Sequence, residues 1–108
     1  MAGLIGFSLS KICTDKPISD GTIYNFIPIT QQNYLLSINV IGANAMQALF
    51  FVGFENQWNV LVEELASKFM QSGTSIDIVY KADNSAFEIK FNISGNGVQY
   101  GTIRALRI

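Results

Sequence analysis

The sequence predicts a mainly β protein: one antiparallel β-sandwich, jelly-roll-like, over residues 1–108, with one short helix near 59–71. Apolar residues recur at period two along most of the chain, which turns one face of an extended strand toward a core. Turn-forming pairs such as Asp20-Gly21, and the run Ser94-Gly95-Asn96-Gly97, divide these stretches into short strands at intervals of about ten residues. A chain of 108 residues can build one core of its own and has no length for a second domain.

Each element follows from its own residues. In 4–12, Ile5, Phe7 and Leu9 lie on one face and Ser8 and Ser10 on the other. Residues 14–22 read as a loop, since Pro17 lacks a backbone donor and Asp20-Gly21 favours a turn. Residues 23–29 form a strand that Pro28 places at a sheet edge or near a strand end. In 34–41, Leu36, Ile38 and Val40 share a face opposite Ser37 and Asn39, and the small, polar stretch 42–45 turns the chain. Residues 48–54 are continuously apolar, as in a strand buried on both faces or one whose outer face meets a partner chain.

Over 58–71 two patterns compete. Trp58, Leu61, Val62, Leu65 and Phe69 fall at helical spacing, with Glu63 and Glu64 toward the start, Lys68 in the last turn and Gly73 just beyond the end. Trp58, Val60 and Val62 also alternate, and a turn at Glu55-Asn56-Gln57 would pair them with 50–54; the helix is the expectation adopted. Further on, Ile76, Ile78 and Tyr80 share a face, Asp83-Asn84 makes a turn, and Phe87, Ile89 and Phe91 align next. Asn and Gly in 94–97 accept the positive φ of a tight hairpin, and 98–108 is the last strand.

Composition removes several function classes. Apolar residues make up 49% and charged residues 14%, against about 25% charged in an average soluble domain, so the chain is not intrinsically disordered. A net charge of −1 and a pI near 5.1 leave no basic footprint for a nucleic-acid backbone. Without histidine, the commonest general base at neutral pH and the commonest zinc ligand are missing. The single Cys13 allows neither an intrachain disulfide nor a multi-thiolate metal centre, and reads as a small core hydrophobe. No apolar run approaches the ~20 residues of a membrane-spanning helix. The apolar start has no basic residues ahead of it, and Lys11 ends it too early for a secretory signal. Neither an enzyme nor a cofactor is expected. With few Lys and Glu to guard strand edges, a homo-oligomer is expected to cover part of the apolar excess.

Saccharide binding needs an aromatic face for the sugar's C–H groups and planar polar groups for its hydroxyls. Asn56, Gln57, Trp58 and Asn59 hold that chemistry in one segment, and Asp83-Asn84-Ser85 and Asn96 could hold hydroxyls at loop tips. Each has an ordinary alternative: the lone Trp58 is expected in the core, and the others serve turn geometry. Tyr24, Tyr34 and Tyr100 are either platforms or core edges. Asp77 and Glu88 could meet each other, or Lys81 and Lys90, across paired strands, whereas the adjacent Glu63 and Glu64 point apart and cannot grip one bond together.

The closing meander, Thr74-Ser75-Ile76-Asp77-Ile78-Val79-Tyr80, then Phe87-Glu88-Ile89-Lys90-Phe91 and the terminal Tyr100-Gly101-Thr102-Ile103-Arg104-Ala105-Leu106-Arg107-Ile108, resembles the C-terminal head domains of tailed-phage fibres and receptor-binding proteins. The resemblance covers the last third of the chain. It implies a homotrimeric structural module that recognises a cell-surface ligand, a saccharide or protein, at a virion or extracellular surface. No shaft or collagen-like segment precedes the domain, which is expected to be an isolated head. Two other readings stand beside it: a small cytoplasmic regulator or inhibitor that caps a partner protein, and a free-standing lectin.

Overall fold

The computed structural model describes residues 8–29, 31–95 and 98–108, and among these it contains eight strands and no helix. They are β1 (Ser8–Ile18), β2 (Ile23–Phe26), β3 (Gln32–Ile41), β4 (Met46–Asn56), β5 (Asn59–Phe69), β6 (Ser75–Lys81), β7 (Ala86–Asn92) and β8 (Gln99–Arg107). A five-stranded sheet runs β1-β8-β3-β4-β5 and a three-stranded sheet runs β2-β7-β6, all neighbours antiparallel. The pairs β1·β8 and β2·β7 are nested, one in each sheet. β3–β4–β5 is a plain meander and β6–β7 a hairpin. Of the stretch 4–12, only its second half lies among the described residues.

The alternating residues of both sheets meet in one core. Leu36, Ile38 and Val40 of β3, Met46, Phe50 and Val52 of β4 and Ile103 of β8 pack toward Phe87, Ile89 and Phe91 of β7. A chain of aromatic contacts crosses between the sheets. Tyr34 meets Phe26 edge-on at 4.8 Å, Phe26 stacks near Phe87 at 6.5 Å, Phe87 meets Tyr80 at 5.2 Å and Tyr80 meets Phe54 at 4.8 Å. The Tyr34 hydroxyl accepts the Ile29 N–H at 2.8 Å, satisfying the polar end of a buried ring.

Three expectations are corrected, the first being the tight hairpin at 94–97: β7 and β8 do not pair but lie in different sheets. The stretch 14–22 is strand as far as Ile18, and only Ser19–Thr22 turns, with the Thr22 N–H bonded to the Ser19 carbonyl at 3.0 Å. Pro17 is tolerated because β1 is an edge strand, its register with β8 shifting on both sides of Cys13. The helix expected near 59–71 is instead β5, joined to β4 by the hairpin that the alternating pattern allowed. Leu49 faces Ala66 while the next residue, Phe50, faces Glu64, so Leu65 is an extra residue bulged out of the ladder. Before the bulge Val60 and Val62 turn inward with Phe54 and Val52; after it Phe69 turns inward with Met46. An odd separation thus shares one face, and Val62 and Phe69, seven apart, imitate two turns of a helix.

At the end of the sandwich holding the β3–β4 turn, buried polar side chains tie three loops together. Gln99 Oε1 accepts the Asn44 N–H at 3.0 Å, Thr74 Oγ1 lies 3.4 Å from Asn44 Oδ1, and the Ser94 N–H reaches Thr74 Oγ1 at 3.4 Å.

Candidate functional site: an aromatic cleft at the β4–β5 tip

The opposite end is shaped by the two-residue connection Gln57-Trp58. Asn56 Oδ1 accepts the backbone N–H groups of Trp58 at 2.8 Å and Asn59 at 3.2 Å, and Asn59 Nδ2 donates to Glu55 Oε2 at 3.1 Å. These bonds close the turn locally. They leave the Trp58 side chain at the tip, where it is 83% exposed and not in the core as expected. So exposed an indole is unusual, since tryptophan is highly buried on average.

Trp58 borders an open cleft of about 480 Å³, whose other walls are Phe54, Asn56, Gln57, Tyr80 and Ser85. Phe54 and Tyr80 arrive from the two different sheets and hold each other tilted at 39°. Ser85 belongs to the β6–β7 turn, where the Asn84 N–H bonds the Lys81 carbonyl at 3.2 Å and the Ser85 N–H bonds the Ala82 carbonyl at 3.3 Å. Ser85 itself takes φ 50°. Asp83 and Asn84 are exposed on this same turn, so the fold brings both sequence-predicted segments to one end of the molecule. The side-chain oxygen of Asn56 is spent on the turn, leaving its amide N–H donors for a ligand.

Asn59 opens to the other side of the hairpin, into a groove of about 570 Å³ that also takes in Gln31, Asn33, Gly53 and Glu55. Gly53 keeps this groove open: a Cβ there would lie 2.8 Å from Asn33 Oδ1. Asn96 lies outside the described residues, and its neighbour Gly95 stands beside Asn44 at the far end. Ser85, expected at a loop tip, does line the cleft, whereas the sequence reading missed Phe54 and Tyr80. Only the position of Tyr80 three residues before Asp83 of the Asp83-Asn84 turn could have drawn attention to it.

The remaining candidates divide plainly. Tyr34 is buried, Tyr100 is half-exposed, and the Tyr24 hydroxyl donates to the Pro17 carbonyl at 3.1 Å. Asp77 stands opposite Lys90 and accepts Asn92 Nδ2 at 2.8 Å, while Glu88 stands opposite Val79. Cys13 is buried, its Sγ–H directed at the Gly101 carbonyl at 3.6 Å, and burial pushes its thiol above the ordinary range. Among the described residues no three His, Cys, Asp or Glu side chains gather as a metal site, and no helix is long and apolar enough to cross a membrane. No family model, curated protein or solved structure matches this chain.

Proposed function

We propose that the protein is a non-enzymatic recognition module that binds a neutral saccharide of a cell surface in the Trp58 cleft. The observation that carries this reading is an almost fully exposed indole that shares one open cleft with Asn56, Gln57 and Tyr80. An exposed aromatic face suits the C–H surface of a sugar ring, and amide and hydroxyl groups at the rim suit its hydroxyls. None of the six side chains bordering the cleft is charged, which favours a neutral ligand over sialylated or phosphorylated ones. The setting, by resemblance, is a phage-type fibre head; the capping-inhibitor alternative calls for no saccharide at all.

A glycan array probed with the wild-type chain and with Trp58→Ala tests the reading. Binding of a set of neutral glycans that falls about tenfold or more in the variant is the expected result. Absence of any bound glycan, or equal binding by the two chains, overturns it.

A further inference from the structure

We propose that two copies of this chain join along β5, edge to edge and antiparallel, to form one continuous ten-stranded sheet. The outer edge of β5 ends the five-stranded sheet, and its outward N–H and C=O groups face no strand among the described residues. Such an edge is normally guarded. β1 guards its edge with register shifts, Lys16 and Pro17, and β2 is four residues long. β5 runs for 11 residues without proline and carries exposed Leu61 and Leu65.

Its sequence complements itself when reversed. Leu61, Glu63, Ala66 and Lys68 lie on the outer face with their β4 partners Gly53, Phe51, Leu49 and Gln47. A two-fold axis between Leu65 and Ala66 sets Glu63 of each copy opposite Lys68 of the other. The same register sets exposed Leu61 opposite exposed Met70, and Val62 opposite Phe69 on the inner face. The bulge at Leu65, which would disturb pairing anywhere else along the strand, falls at the centre of this arrangement and leaves both halves regular. Opposite charges directly across an antiparallel pair attract and like charges repel, and the two-fold axis doubles either effect.

The resemblance to fibre heads implies three-fold assembly; the β5 edge specifies a two-fold one, so the mass of the particle decides. Light scattering after size exclusion should give twice 11.9 kDa for the wild-type chain. Glu63→Lys and Lys68→Glu, both at exposed positions, should each weaken the dimer by about tenfold. The combined Glu63→Lys/Lys68→Glu chain should recover it. A monomeric or trimeric wild-type chain overturns the proposal, as does a dimer that neither single reversal weakens. The saccharide cleft lies at the strand's end, so glycan binding by a monomer would leave that reading intact while this one fails.

Discussion

Gly101 shows how little room the core leaves. A Cβ at this position would run into the Ile18 side chain and come within 3.1 Å of Val40 Cγ2, with backbone behind it at Asn39. Gly101→Ala should therefore destabilise the fold by about 1–3 kcal/mol in urea unfolding, the usual cost of overpacking. Two nearby titratable groups give a pH dependence of known sign. Burial raises the thiol of Cys13 and the phenol of Tyr24 above their ordinary values, and for Tyr24 the neighbouring Cys13 adds to the rise. As pH climbs past about 8.5 the unfolded chain loses these protons first, so it binds fewer than the folded one. Stability is then complete at neutral pH and falls from there into the alkaline range. A urea midpoint unchanged between neutral and strongly alkaline pH would contradict that account. Cys13 should likewise resist thiol reagents until the chain is unfolded.

At the scale of elements, legibility tracked the regularity of each strand. β6 and β7 lie where unbroken alternation put them, because Ile76, Ile78 and Tyr80, then Phe87, Ile89 and Phe91, each keep one face inward without interruption. β5 failed because one bulged residue converts period two into a spacing that a helix shares, and periodicity alone carries no sign of the bulge. That cause is testable. Deleting Leu65 should leave Ala66 to Phe69 paired with β4 as before, make the ladder regular from Val60 to Phe69 and change stability by no more than about 1 kcal/mol. In a helix the same deletion would rotate every later side chain by about 100° and drive Phe69 from the core. Collapse of the folded state on deletion would thus count against the strand and its bulge.

Across the whole molecule, the chemistry of the candidate site was readable in Asn56, Gln57 and Trp58, but its completeness was not. Tyr80 and Ser85 join Trp58 only because the two sheets pack with the β4–β5 and β6–β7 hairpins at one end, and no local pattern encodes that meeting. Exposure of Trp58 was equally hidden, since a lone tryptophan ordinarily packs inside and the turn bonds of Asn56 had first to be seen. The antiparallel β5 pair adds a consequence at this scale. It carries the two Trp58 clefts to opposite ends of the ten-stranded sheet, so a dimer should cross-link glycan-coated particles, as a free-standing lectin would, and the Glu63→Lys chain should bind them without cross-linking. The chain's only tryptophan is also the site's own reporter. Its emission should be water-like and open to iodide in the free protein. Titration with glucose, galactose, mannose, N-acetylglucosamine and N-acetylgalactosamine should, for at least one of them, shift that emission to the blue and shield it from iodide. Emission and quenching unmoved by every one of these sugars at saturating concentration would contradict the saccharide cleft.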